Sequence, residues 1–229
     1  MSLSPPDWQA HNAVGYNSIM ISQCEKLLTK IVADPACRQA VLSDPRSLHR
    51  ELFEAFAPPG YSEYAGSYRG MSGSSLAYRR VFAYSQITPR KRYEFDQPSE
   101  VSAGMNLLLR QTRDLIGDKP TDDFDKLIAL SYTFCHFGKI HPFLDGNGHV
   151  QRAIFAAMAT EFGIPLSARF AIHPRPYDRL LAIALEIFTC APGDQKNGEL
   201  GLVAEYLGFF LEGPFNAPRK HIGTETPYT

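Results

Sequence analysis

The sequence lacks the features that mark secreted, zinc-binding and membrane-spanning proteins. Its 229 residues include four cysteines, which are widely spaced and form no Cys-x-x-Cys pair. We therefore expect neither a disulfide framework nor a zinc site, and a reducing compartment fits the sequence best. No apolar run reaches the roughly 18 residues that a transmembrane helix needs, and no basic-then-apolar leader is visible. These absences predict a cytoplasmic protein without a membrane partner.

The sequence also lacks an excess of charge of either sign. It has 23 basic and 24 acidic residues, and its net charge is -1. Nucleic acids and anionic membranes attract proteins with a basic excess, so neither is an expected partner. The length suffices for one domain with an ample core, and no internal repeat is visible.

One stretch, residues 141–152, concentrates groups that suit phosphate chemistry: His-Pro-Phe-Leu-Asp-Gly-Asn-Gly-His-Val-Gln-Arg. Pro142 ends a preceding helix because it lacks an N–H and restricts the residue before it. A new helix is predicted to begin at about Gly148, after a glycine-flanked turn. The free N–H groups and the positive dipole of a helix start suit a phosphate. Arg152 lies one turn further along and can reach the same anion.

The same stretch resembles the signature of the Fic family, His-Pro-Phe-x-(Asp/Glu)-Gly-Asn-Gly-Arg-x-x-Arg. Eight of the nine specified positions match: His141, Pro142, Phe143, Asp145, Gly146, Asn147, Gly148 and Arg152. The ninth position, where the family has its first arginine, is His149. The resemblance covers about residues 60 to 212.

The resemblance implies a mainly α fold, a Fic-type helical bundle with a small β-hairpin flap before the motif. Residues 58–229 are predicted as the Fic domain, and residues 1–57 as an N-terminal helical segment that packs on its core. Apolar residues at helical spacing support helices on both sides of the motif. After the motif helix, two more helices are predicted over residues 174–188 and 200–211.

The flap is predicted at about residues 61–84, where glycines and tyrosines indicate extended chain with turns. In the family this hairpin lies over the site and holds the target segment as an added strand. The resemblance therefore assigns target binding to Tyr68, Arg69 and Val81. The alternative is an aromatic surface loop packed on the core. Residues 85–97 are expected to form a solvated loop.

The resemblance assigns the central chemistry to His141 and Asp145. It implies that His141 takes the proton from a target hydroxyl as that hydroxyl attacks the α-phosphorus of a nucleotide. Without the motif, a lone histidine is more often a structural group. Asp145 is implied as the protein ligand of Mg²⁺, which prefers one or two carboxylates plus phosphate oxygens. The alternative role for an aspartate at this spacing is to cap the next helix.

The phosphate contacts are assigned to the glycine-flanked turn and to Arg152. Gly146, Asn147 and Gly148 are implied to donate N–H groups to phosphate oxygens. Arg152 is implied to hold the outer phosphate of a triphosphate, and a helix-face ion pair is the alternative. His149 belongs to the same set of phosphate contacts. The family has an always-charged arginine guanidinium at this position, whereas an imidazole is only partly protonated at neutral pH. The nucleotide preference is therefore open.

These assignments predict a protein nucleotidyltransferase. It would move AMP, or another nucleoside monophosphate, from ATP or another triphosphate to a Ser, Thr or Tyr hydroxyl of a target protein bound along the flap. One alternative keeps the fold and changes the donor, as in UMP or phosphocholine transfer. The other is an inactive binding module of a toxin–antitoxin or effector complex. Related Doc kinases carry a lysine at the position of Gly148, so the glycine argues against kinase activity.

The sequence offers only a poor candidate for an internal inhibitor. Many Fic proteins share an inhibitory helix with the pattern (Ser/Thr)-x-x-x-Glu-(Gly/Asn), whose glutamate pairs with the second arginine of the motif. Here Ser47 and Glu51 fit the spacing, but Leu52 follows instead of Gly or Asn. We expect Glu51 to be a solvated surface residue. A separate antitoxin-like protein then restrains the chain, or nothing does.

Overall fold

The computed structural model describes residues 5–174, 179–191 and 197–213, and this part of the chain is mainly helical. The helices are α1 Tyr16–Ala33, α2 Pro35–Ser43, α3 Arg46–Phe53, α4 Pro98–Gly117, α5 Asp123–Ile140, α6 Asn147–Glu161, α7 Arg179–Cys190 and α8 Asn197–Gly208. Together with one small antiparallel hairpin they confirm the predicted fold class. None of the described helices combines the length and apolar character needed to cross a bilayer.

Helix α6, which begins inside the motif, lies at the centre of the core. It is buried on nearly all sides, at Val150, Ala153, Ile154, Phe155, Ala156, Ala157, Met158 and Ala159. The alanines are small enough for neighbouring helices to approach closely. Helix α5 packs on α4, α6, α7 and α8, while α1 and α2 pack on α6. A helix that is apolar all round is stable only inside such a bundle, so the motif is held from every side.

The helix boundaries follow local signals. Asp34 accepts a hydrogen bond from the N–H of Ala36 at 2.8 Å, so it ends α1 and caps α2. Helix α4 begins at Pro98, one residue before the predicted start at Ser99. The predicted helix over 174–188 is observed from Arg179, and residues 175–178 lie outside the described part. The outer ends of the predicted domains, 1–4 and 214–229, lie outside it too.

The hairpin lies later in the chain than predicted. Strand β1, Phe82–Tyr84, pairs antiparallel with β2, Arg92–Glu94. The predicted range 61–84 contains β1 but not β2, so it was wrong for the second strand and for residues 61–81. The prediction of a solvated loop over 85–97 was wrong because that stretch contains β2. Residues 61–81 form turns because several of their glycines have positive φ, a region that L side chains rarely adopt.

The segment before α1 packs on the motif side of the molecule. The indole N–H of Trp8 donates to the carbonyl oxygen of Phe56 at 2.8 Å. Its ring is buried against His49, Phe53 and Tyr64. The polar, proline-containing start of the chain favours a loose segment, but residues 5–12 are packed on the core. Trp8 anchors them by burial of its large ring, and Tyr64 and Arg79 add hydrogen bonds to the carbonyl oxygens of residues 5 and 6. These contacts outweigh the cost of ordering a short polar segment.

Candidate active site

His141 stands at the end of α5, directly before Pro142, which cannot continue the helix. Its N–H closes the helix on the carbonyl of Phe137 at 2.9 Å, and its own φ is 49°, in the left-handed region. The imidazole stacks on Phe95, with the ring centroids 3.8 Å apart. Ring atom Nδ1 lies 3.3 Å from the carbonyl oxygen of Gly138. A proton on Nδ1 satisfies that carbonyl and leaves Nε2 with a lone pair.

Burial and a nearby guanidinium keep this imidazole neutral. Desolvation, and then the charge of Arg69, lower the pKa of His141 to about 3. At neutral pH the ring therefore carries one proton and can accept another. The low pKa also means that it is a weaker base than an exposed histidine.

Arg69 is buried beneath the motif and not on the hairpin, so its predicted role in target binding was wrong. Its side chain is fully buried, and its guanidinium binds only backbone carbonyl oxygens. The acceptors are His141 at 2.7 Å, Ile140 at 2.8 Å, Asp96 at 2.9 Å and Arg79 at 3.2 Å. Its backbone N–H donates to the carbonyl of Pro142 at 2.8 Å. Arg69 thus fixes the backbone that carries the predicted base.

The other two predicted flap residues differ in position. Tyr68 is buried with its ring 5.2 Å from that of Phe143, so its predicted role on the flap was also wrong. Val81 directly precedes β1, and its carbonyl accepts the N–H of Phe95 at 3.2 Å. Its role in target binding stays a prediction. Tyr68 and Arg69 are both buried because the segment before the hairpin contributes side chains to the core.

Asn147 shapes the loop through its side chain. Its Oδ1 accepts the N–H of Phe143, and its Nδ2 donates to the carbonyl of the same residue, both at 2.9 Å. The amide is buried and used inside the loop, so Asn147 has its backbone N–H left to offer a phosphate. This reciprocal pair closes the turn between α5 and α6.

His49, which the sequence reasoning missed, supports the loop from α3. It is fully buried, and its ring stacks on Phe143 with centroids 3.8 Å apart. Nδ1 accepts the N–H of Gly66 at 2.8 Å, so Nε2 carries the proton and donates to the carbonyl of Asp145 at 2.9 Å. Desolvation lowers the pKa of His49 to about 3, against a smaller opposing effect of the Asp145 carbonyl. No spacing rule marks this histidine in the sequence.

The carboxylate of Asp145 is partly exposed at the front of the loop. Oδ1 accepts the N–H of Gly146 at 2.7 Å, and Oδ2 accepts the N–H of Ala10 at 2.8 Å. A carboxylate has about four lone-pair sites, so these two bonds orient Asp145 and leave capacity for a cation. No group of three or more His, Cys, Asp or Glu side chains in the described residues suits a metal. Asp145 alone fits Mg²⁺ that takes its other ligands from phosphates and water.

The start of α6 presents backbone donors beside Arg152. Gly146 has a φ of 78° and allows the sharp entry into the helix. Within the described part of the chain, the N–H groups of Asn147 and Gly148 have no hydrogen-bond partner. A Cβ placed on Gly148 would lie 3.1 Å from Nη1 of Arg152, so the guanidinium reaches the helix start. Arg152 is mostly buried, and its Nε donates to the carbonyl of Ile172 at 2.7 Å.

His149, at the one position that departs from the motif, pairs with a second histidine. Its Nε2 lies 3.1 Å from Nδ1 of His173, and the two rings are stacked. Desolvation, and then the charge of Arg152, lower the pKa of His173. No spacing pattern in the sequence connects His149 with His173, because the two histidines are 24 residues apart and meet only in the fold.

An apolar cavity of about 100 Å³ adjoins this end of the site. Gly148, Gln151 and Arg152 form its polar wall, and side chains from α5 to α8 and from the segments that follow α6 and α8 form the rest. The hairpin is attached to the same helix α7 through Glu186. That buried carboxylate accepts the hydroxyl of Ser85 and, at 2.6 Å, the N–H of Gln86.

The structure thus brings together His141, Asp145, the helix start at residues 146–148 and Arg152, all around one loop. Glu51, the candidate inhibitor, lies exposed and 3.9 Å from Lys30.

Among families of known proteins, the family described as Fic/DOC matches residues 41–159. Neither the comparison with curated proteins nor the comparison with solved structures gives a match. The match begins at the end of α2 and therefore includes α3, which carries His49.

Proposed function

The chain belongs to the Fic/DOC family and is a Fic-type enzyme of the transferase kind, and on that premise we propose that it transfers AMP from ATP to a hydroxyl of a target protein. The observation that carries the proposal is the placement of a neutral histidine, His141, on the same loop as the donors at the start of α6. A base and a phosphate site are the two parts that nucleotidyl transfer requires.

The proposed reaction is an in-line displacement at the α-phosphorus. The oxygen of a target Ser, Thr or Tyr attacks that phosphorus, and its proton passes to Nε2 of His141. The bond from the α-phosphorus to the bridging oxygen of the β-phosphate breaks, and pyrophosphate leaves. The proton on Nδ1 is donated to the Gly138 carbonyl. Nε2 therefore has a free lone pair and can accept the proton of the target hydroxyl.

The helix start supplies the proposed phosphate contacts. The backbone N–H groups of Asn147 and Gly148 point out of α6 with the positive end of its dipole. Arg152 adds a charged fork beside them. Asp145 would hold Mg²⁺, which, when bound, neutralises negative charge on the phosphates. The positions of all these groups depend on Asn147, His49 and Arg69, which fix the loop from inside.

The departure at His149 bears on the choice of donor. In this chain the imidazole contacts His173, so the region beside Arg152 holds two stacked rings in place of an extended guanidinium. Phosphocholine transfer is the alternative that this change favours, since its donor has no triphosphate and needs fewer fixed charges beside Arg152. UMP transfer is a further alternative, on which the change at His149 does not bear, because UTP and ATP have the same phosphates. An inactive binding module would keep the loop and lose transfer.

The test is a labelling experiment with the full chain. The protein is incubated with Mg²⁺, a cell lysate and each of the four nucleoside triphosphates, labelled on the α-phosphate or, separately, on the γ-phosphate. Kinases of the lysate transfer the γ-phosphate by themselves, so each reaction is compared with a lysate to which the protein is not added. Relative to that control, we expect additional labelled proteins with α-labelled ATP and none with γ-labelled ATP. Additional label from γ-labelled ATP alone would mean kinase activity. Additional label from α-labelled GTP, CTP or UTP in place of ATP would mean that the donor is that nucleotide. No additional label from any nucleotide would refute nucleotidyl transfer.

A further inference from the structure

The outer face of the hairpin combines aromatic rings with a positive charge. Phe82 and Tyr84 on β1 are 45% and 60% exposed. The guanidinium carbon of Arg92 on β2 lies 4.3 Å and 4.9 Å from the centroids of these two rings. Its Nη2 also donates to the hydroxyl of Tyr84 at 2.9 Å. With Glu94, these residues form what we call the hairpin face; the opposite side of the hairpin, which carries Tyr93, is partly buried.

The turn that joins the strands, residues 85–91, carries Arg90 and Lys91 and no acidic residue, and we call it the basic turn. Residues 79–95 contain five basic residues and one acidic residue, although the whole chain has a net charge of -1. Arg79 is bound to the segment before α1, and Arg80 lies 3.6 Å from Glu94. Within the described residues, Arg90 and Lys91 are exposed and form no ion pair. The excess of positive charge is therefore presented to solvent at this turn.

The hairpin is both open for pairing and firmly placed. In the described part of the chain its sheet has two strands, so the outer edge of each has no backbone partner. An extended peptide can pair with such an edge. Glu186 holds the start of the turn on α7. At the other end, Phe95 follows β2 directly and stacks on His141, so the hairpin leads to the predicted base.

We propose that the hairpin face and the basic turn bind an acidic segment of the target protein, next to the hydroxyl that is modified. The proposal rests on the proposed function, because it specifies the substrate of that reaction. Carboxylates on the segment would face Arg90, Lys91 and Arg92, while its apolar groups would cover the two exposed rings. Nucleic acid fits this surface less well, because a strand edge offers hydrogen-bond pairing to a peptide backbone.

The test measures binding separately from transfer. The probes are a fluorescent random copolymer of glutamate and tyrosine, a lysine–tyrosine copolymer with the same tyrosine content, and a single-stranded oligothymidylate. Each is titrated against the unchanged protein and against Arg90→Glu/Lys91→Glu, in which Arg92 and the stacked rings are intact. The control is Arg110→Glu/Arg113→Glu, which makes the same charge change on exposed residues of α4. Thermal unfolding of each variant establishes that it is folded.

We expect the glutamate–tyrosine copolymer to bind best and the hairpin variant to bind it roughly 5- to 50-fold more weakly, with little change in the control. Added salt should weaken binding by the unchanged protein. Equal binding by the hairpin variant and the control would overturn the proposal. So would preference for the lysine copolymer or for the oligonucleotide. Labelling of lysate proteins is measured in a separate experiment. If no protein is labelled while the glutamate–tyrosine copolymer still binds selectively, the result refutes nucleotidyl transfer and leaves the proposed binding surface supported.

Discussion

Replacing the buried arginine beneath the motif should destabilise the whole protein. Arg69→Met keeps most of the side-chain volume and removes the guanidinium, so its effect isolates the hydrogen bonds. Four backbone carbonyls then lose their shared donor, including the fully enclosed carbonyl of Ile140. Leaving a buried hydrogen-bond acceptor unpaired costs about 1–3 kcal/mol, so we expect the loss of this donor to cost about 3–5 kcal/mol in all. For a domain of this size, about 2–4 °C of Tm per kcal/mol gives a fall of roughly 6–20 °C.

The assay is chemical denaturation followed by circular dichroism, with thermal unfolding as a second measure. Arg80→Met is the control, since Arg80 is exposed and its ion pair with Glu94 is on the surface. Its effect should stay within about 0.5 kcal/mol. A loss below about 1 kcal/mol for Arg69→Met would refute the conclusion that Arg69 is a structural residue of the motif.

Three further predictions concern the loop, its pH dependence and the hairpin. Gly146→Ala should cost about 1–3 kcal/mol more than Gly60→Ala, because both residues have positive φ but only the first meets a buried ring, at 2.5 Å; equal losses in denaturation would contradict this. In the unfolded chain His49 binds a proton as the pH falls below 6.5, whereas in the folded protein its pKa is about 3. The free energy of unfolding should therefore decrease as the pH is lowered from 6.5 to about 3. His49→Gln should reduce that slope by up to about 1.4 kcal/mol per pH unit, and an unchanged slope would exclude His49. Glu186→Gln should speed amide hydrogen exchange in the hairpin turn, and equal exchange would show that α7 does not hold it.

The parts of the site that depend on local chemistry could be predicted from the sequence. Pro142 and the glycines of the loop dictate a break between two helices, and Asp34-Pro35 dictates the break between α1 and α2. The start of α6 was predicted within one residue for the same reason. These signals act over a few residues, so the sequence carries them directly.

The parts that depend on distant contacts could not be predicted. The strands have only three residues each, and their turn is fixed by Glu186, about 100 residues further along the chain. Arg69 resembles any surface arginine until the fold surrounds it with carbonyls. His49 becomes a neighbour of the loop only when α3 packs on it. In each case burial by other elements, and not local propensity, decides the role.

The most direct test of the central claim compares the unchanged protein with His141→Ala in two measurements. Nucleotide affinity is measured by calorimetry with a non-hydrolysable triphosphate and Mg²⁺, and transfer is measured with α-labelled ATP and a lysate target. If His141 is the base, affinity should stay nearly unchanged while transfer falls by about 10²–10⁴-fold. Transfer by His141→Ala at a near-normal rate, with normal affinity, would contradict the account.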